Sequence, residues 1–212
     1  MTPTQQRRQR EKENLRRAIL DAARELFISE GYDNVSMRKI AEKIEYSPTT
    51  IYLHFQDKSE ILKALCDEGF LLMAACLEGV NSIEDPVERL REGGFRYIQF
   101  AKQQPQYYVI MFEMQDNALE MDMAKKTESA GYRCFSFMMR CILEGIDQRI
   151  ITPSAHPLVL THSIWAGVHG AASLTLSGRL GMLPQELHQA FYDNLLELSI
   201  RGLTAPAPTN SN

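Results

Sequence analysis

No apolar run in these 212 residues reaches the ~18 needed to span a bilayer. The amino-terminal segment MTPTQQRRQREKENLRR is basic but has no apolar stretch behind its charges, so no signal peptide is expected and the location should be cytoplasmic. No CxxC pair occurs. Cys66, Cys76, Cys134 and Cys141 each lie among apolar, helix-like residues, where cysteine behaves as a small buried hydrophobe. No segment alternates with period two, so strands are not expected. A glycine-rich phosphate loop is missing. Ser163 and Ser173 lie near His169 but outside any nucleophile elbow, so no catalytic residue and no enzyme is expected. No cofactor is indicated either.

What is present is helical periodicity and an uneven charge. The net charge is −4, yet residues 1–65 carry +2 and the remainder −6. Residues 1–17 alone carry +4, through Arg7, Arg8, Arg10, Lys12, Arg16 and Arg17 against Glu11 and Glu13. A basic end on an acidic chain points to a polyanionic partner for that end. Leu15, Ala18, Ile19, Ala22, Leu26 and Phe27 recur at three and four, which predicts a first helix over residues 10–30 stopped by Gly31. Ser36 caps a second helix, with Ile40, Ala41 and Ile44 as its buried stripe. Ser47-Pro48 starts a third across YSPTTIYLHF, and Asp57 to Glu60 opens a fourth reaching about Glu78. Further helices are expected from Asp85-Pro86 to about Gln103, from Pro105, across 126–150, from Leu158 to Ser177 and from Pro184 to about Arg201. Residues 114–125 read as a loop or frayed start. The 126–150 helix is apolar on most sides, as if buried in a bundle. The fold class is therefore all-α, with about nine helices. Three domains of sequence follow: 1–62 with its basic arm, 63–203, and a disordered tail over 204–212.

Three helices with a tight turn between the second and third make a helix-turn-helix, whose second helix enters the DNA major groove. That accounts for the crowding of hydroxyls and imidazole in YSPTTIYLHF. Ile51 and Phe55 pack inward on Ile19, Phe27, Ile40 and Ile44, while Pro48, Thr49, Thr50 and Leu53 face outward, flanked by Tyr52 and His54. Hydroxyl and imidazole groups hold phosphate without reading sequence, and Thr can meet base edges or the thymine methyl.

Residues 15–62 resemble the amino-terminal domain of TetR-type transcriptional regulators. The resemblance lies in LF at 26–27, GYDNVSMRKIAEKI, and SPTTIYLHFQDKSEIL. It implies phosphate contacts from Ser36 and Arg38, groove-facing Ser47, Pro48 and Thr49 with Thr50 beside them, phosphate grips from Tyr52 and His54, and Lys58 at the start of the fourth helix. The family often has Gly where this chain has Glu45; a left-handed conformation there would cost Glu about 1 kcal/mol.

The resemblance further implies that the later helices bind a ligand and dimerise. WAGVHG, residues 165–170, is similar to a signature in one branch of such domains, a WHG-like segment. Ala166, Gly167, Gly170, Ala171, Leu174 and Gly178 form a small-residue stripe. His162 and His169 are seven apart, about 10 Å along the axis, too far to share a metal without other ligands. Phe95, Phe112, Phe135, Met138 and Trp165 are candidates to line an apolar site, with Tyr97 and His169 as its polar groups. The expected protein is a homodimeric repressor on a near-palindromic operator, released by a small, largely apolar effector, with no membrane partner. The alternative is an effector-independent or thiol-switched DNA-binding protein, the latter through Cys134 and Cys141.

Overall fold

The computed structural model describes residues 2–114 and 129–204. Among them are nine α-helices and no strands, as the periodicity predicts. Contacts divide the chain into two compact units.

The first unit holds residues up to Gly69, together with a later segment beginning at Gln106. Its α1 runs Pro3–Glu30, seven residues earlier than the apolar pattern predicts. Residues 3–9 contain no apolar position beyond Pro3, so periodicity is silent there. The start is set instead by a capping box: Thr2 Oγ1 accepts from the Gln5 amide and Gln5 Oε1 accepts from the Thr2 amide. Ile19, Leu20, Ala22, Ala23, Leu26 and Phe27 are its buried face. Helix α2, Met37–Lys43, is capped by Ser36, whose Oγ accepts from the Lys39 amide at 3.2 Å. It ends in a Schellman motif. The Tyr46 amide donates to Ala41 O and the Glu45 amide to Glu42 O, with Glu45 at φ 60°. Helix α3 spans Pro48–Tyr52, about half the length expected from the sequence. Beyond it the Leu53 amide turns back to Thr50 O, because Phe55 must reach the core, where it is 1% exposed. Helix α4 spans Lys58–Glu78. Asp57 Oδ1 accepts from the Glu60 amide, and Glu60 Oε2 accepts from the Gln56 amide. Helix α6, Pro105–Phe112, supplies Tyr107, Ile110 and Met111 to this unit.

The second unit holds residues from Phe70 to Pro105 and from 127 onward, including the last part of α4. Helix α5, Pro86–Gln103, is capped by Asp85. Helices α7 (Ala130–Asp147), α8 (Pro157–Leu176) and α9 (His188–Thr204) pack on it. The close approaches are made possible by adjacent glycines. A methyl on Gly93 would lie 2.4 Å from Phe137 of α7, and one on Gly94 would lie 2.5 Å from Leu196 of α9. Ile98, Ala171, Leu180 and Tyr192 form a core cluster that Phe191 and Leu195 cover. Ion pairs tie the same helices: Arg89 to Glu144, and Arg91 to Glu197 at 2.6 Å. Helix α7 is not buried on all sides as its apolar content suggests: Tyr132, Arg133, Arg140 and Leu143 leave one face exposed. Helix α9 starts at His188, after a single 3-10 turn over Gln185–Leu187. The expected loop over 115–125 and the tail from 205 lie outside the described residues.

Candidate functional site

Helix α3 is divided cleanly into a buried and an open side. Ile51 is fully buried on the core that contains Ile19, Phe27 and Ile40. Ser47, Pro48 and Thr49 are exposed, Tyr52 is 55% exposed, and Leu53 is 77% exposed. Thr50 is half-buried. Its hydroxyl lies 2.9 Å from Ser47 Oγ, which also accepts from the Thr50 amide. The Ser-Pro start therefore holds Thr49 and Pro48 at the open edge of a short, locally fixed helix. Ser36 and Arg38 open α2 and are exposed; Arg38 Nε donates to Glu42 at 2.8 Å.

Two of the expected residues have surroundings that the sequence did not reveal. Lys58 Nζ donates to Tyr32 O at 2.7 Å and lies 4.1 Å above the Tyr32 ring. It therefore braces the 3-10 turn over Tyr32–Asn34 as well as opening α4. His54 is half-buried and its Nδ1 has no hydrogen-bond partner among the described residues. Burial, then the positive charges of Lys12 and Arg16, hold its imidazole below the usual histidine range. Arg16 lies 4.9 Å over the Phe55 ring. Composition registers Lys12 and Arg16 only as net charge; their four-residue spacing was the readable signal.

In the second unit, Tyr97 of α5 is 5% exposed, and its hydroxyl joins two residues of α8. It shares a 3.0 Å hydrogen bond with His169 Nδ1 and accepts from Trp165 Nε1 at 3.4 Å. The Trp165 and His169 rings are 5.6 Å apart, and the Phe135 ring of α7 lies tilted 4.9 Å from that of His162. Phe95 and Met138 are half-buried on α5 and α7. Phe112 is grouped with the first unit, and its ring lies 4.9 Å from Tyr108. The cluster thus has an aromatic wall and a hydrogen-bonding hub, which can orient one polar group of an otherwise apolar molecule.

Among the described residues no group of His, Cys, Asp and Glu is arranged to hold a metal ion. None of their helices is long and apolar enough to cross a membrane. Burial pushes the Cys66 and Cys134 thiols up to about 12. Cys141 is raised as well, although Arg89 opposes the effect.

Known proteins share both parts of this arrangement. The pattern described as "Bacterial regulatory proteins, tetR family" matches residues 19–65. The one described as "Tetracyclin repressor-like, C-terminal domain" matches residues 90–198, more than half of the chain. The HTH-type transcriptional regulator TcmR of Streptomyces glaucescens is 34% identical over 94 residues, which are 43% of this chain and 40% of that protein. The HTH-type transcriptional repressor Rv1474c of Mycobacterium tuberculosis is 42% identical over 60 residues, 28% of this chain and 32% of that protein. The chain thus spans less than half the length of these curated relatives. Among solved structures, a protein of unknown function from Rhodococcus sp. RHA1 superposes with a TM-score of 0.69 at 25% identity, covering 90% of this chain and 95% of that one. The transcriptional regulator FadR of Bacillus subtilis, in complex with stearoyl-CoA, gives 0.72 at 18% identity over 88% of this chain and 98% of that one, a likeness of fold.

Proposed function

Because the chain belongs to the TetR family of bacterial regulatory proteins, we propose that it is a homodimeric DNA-binding transcriptional repressor, released from its operator by a small, largely apolar molecule. The observation that carries this reading is α3, whose Ile51 side is fully buried while Pro48, Thr49 and Tyr52 stand in solvent. In a helix-turn-helix such a helix lies in the major groove and the preceding helix crosses the backbone. Ser47, Pro48, Thr49 and Thr50 then meet base edges. Ser36, Arg38, Tyr52, His54 and Lys58 hold phosphates and fix register. Two-fold symmetry of a dimer makes the operator near-palindromic. Val159 and Leu174 on α8 and Leu198 on α9 are exposed in the single chain and supply apolar surface for the partner copy.

The ligand site of this reading is the α5–α7–α8 cluster, with Phe95, Phe135, Met138 and Trp165 as its apolar lining and Tyr97 and His169 as its polar group. A hundredfold loss of DNA affinity requires the ligand to favour the released state by about 2.7 kcal/mol. The thiol-switched alternative draws little support from the side chains, since thiols raised by burial react slowly as thiolates.

The test starts by enriching random duplexes on the purified protein and footprinting the winner. Two protected grooves related by a two-fold axis are expected; enrichment of no duplex would overturn the reading. On the selected duplex and a scrambled one, Tyr52→Phe should weaken binding by similar factors. Thr49→Ala should cost about 1–3 kcal/mol on the selected duplex alone. Long-chain acyl-CoA, free fatty acids and planar aromatics, added to the complex, probe the effector class. Release that Tyr97→Phe weakens is the expected result.

A further inference from the structure

We propose that the amino-terminal turns of α1 carry a second nucleic-acid surface, in which Arg8, Lys12 and Arg16 bind the phosphate backbone beside the groove that α3 enters. This rests on the DNA-binding reading above and extends it beyond the helix-turn-helix, since the matched family pattern begins only at residue 19.

The three cations repeat at four-residue spacing, so they form one ridge that turns only about 40° per step. The same row continues into the buried face of the helix, through Ile19, Ala23 and Phe27. One side of α1 is therefore apolar where the three-helix body covers it, and cationic where the helix outruns that body. The residues from Thr2 to Asn14 are all exposed. Arg16, the last of the row, lies over the Phe55 ring, and Lys12 and Arg16 both act on His54. The ridge thus begins at the carboxyl end of the recognition segment and leads away from it.

Charge pairing separates this ridge from the flanking Arg7 and Arg17, while Arg10, also without an ion pair among the described residues, stands alone on the opposite face. Arg7 is bonded to Glu11, and Arg17 to Asp21 and Glu68. Among the described residues Arg8, Lys12 and Arg16 form no ion pair. Three uncompensated cations in a row are a phosphate-binding arrangement. Anionic membrane is the less suitable partner, because an interfacial helix needs an apolar face and residues 4–14 have none.

The experiment compares Arg8→Gln/Lys12→Gln with Arg10→Gln, a cation on the opposite face of the same helix. Gln keeps helix propensity close to that of Arg and Lys, and circular dichroism checks the helix content. Binding of the full chain to a 40-bp scrambled duplex is read by fluorescence anisotropy across a salt series. Each lost phosphate contact lowers the salt slope by about 0.9, so the double variant should lose about 1.8 per subunit and Arg10→Gln much less. Footprints on the selected duplex should lose protection beside each recognition groove. If the wild type binds but the double variant keeps its slope and footprint, the ridge is not a phosphate surface. If Arg10→Gln lowers the slope as much per charge, the effect is net charge and the ridge assignment fails. Retention of the wild type on anionic vesicles, lost in the double variant while the DNA slope stays unchanged, would assign the surface to lipid and overturn the proposal. Failure of the wild type to bind any duplex would instead defeat the DNA-binding reading itself.

Discussion

At the scale of single residues, Glu45 and Arg149 share one geometry. Each has φ 60° and occupies the left-handed position of a Schellman motif, Glu45 after α2 and Arg149 after α7. A side chain in that conformation costs roughly 1–2 kcal/mol, while Gly adds unfolded-state entropy of about 0.4–1 kcal/mol. Glu45→Gly should therefore raise stability by about 0.5–1 kcal/mol; a lower urea midpoint would show that Glu45 makes a compensating interaction. His54 gives a pH dependence of definite sign. Burial with Lys12 and Arg16 depresses its pKa, so the folded state favours neutral imidazole. Its contribution to stability is complete above the ordinary histidine value of about 6.5 and is lost as the pH falls through the depressed one. Melting curves without DNA should shift down on acidification, and His54→Gln should reduce that shift. Parallel curves for the two proteins would exclude His54 as the source. The strained turn at Glu45 could be anticipated through the family resemblance alone; the same geometry at Arg149, where no resemblance was drawn, was not. The bracing of Lys58 by Tyr32 could not be anticipated, since the two are 26 positions apart and nothing local pairs them.

At the scale of elements, the helix starts were readable wherever a cap is written in adjacent residues. Ser36, Ser47-Pro48 and Asp85-Pro86 each cap the helix predicted from them. Lengths were less legible. Helix α3 is cut short by the path of Phe55 into the core, and α1 is lengthened by a capping box in a segment where apolar periodicity says nothing. Packing distance was not legible at all. The Gly93-Gly94 pair reads as a weak point inside a helix, yet it seats α5 against its neighbours. Gly93→Ala gains about 0.5–1 kcal/mol of helix propensity. It also drives a methyl into the ring of Phe137, which is 4% exposed and cannot swing aside. Overpacking of that kind costs about 1–3 kcal/mol and should win. A net loss of about 1–2 kcal/mol in urea denaturation is expected; unchanged stability would mean that α5 and α7 slide apart cheaply.

At the scale of the whole molecule, the proposed two-fold assembly has a clean probe in Gly170 of α8. Nothing lies within 4 Å of a methyl built there, so Gly170→Leu should leave the single chain folded. At a close helix–helix seam it should turn the dimer into monomer in light scattering at micromolar concentration. A variant that stays dimeric with unchanged helix content would move the seam away from Gly170. The proposed ligand cluster marks where sequence reading stopped at this scale: Tyr97 and His169 meet across 72 positions of chain. The first unit carries a consequence of the same long-range kind. Arg24 reaches Tyr107 at 2.7 Å, Cys66 donates to the carbonyl of Ile110, and Gly69 is flush against Met111. Its last helix is thus delivered only after the chain has passed through Phe70–Pro105. A fragment ending at Gly69 should melt below the intact unit, because these three contacts go with α6. A growing chain meets the same condition: the unit that leaves the ribosome first must wait, unfinished, until the opening stretch of the other has followed it out.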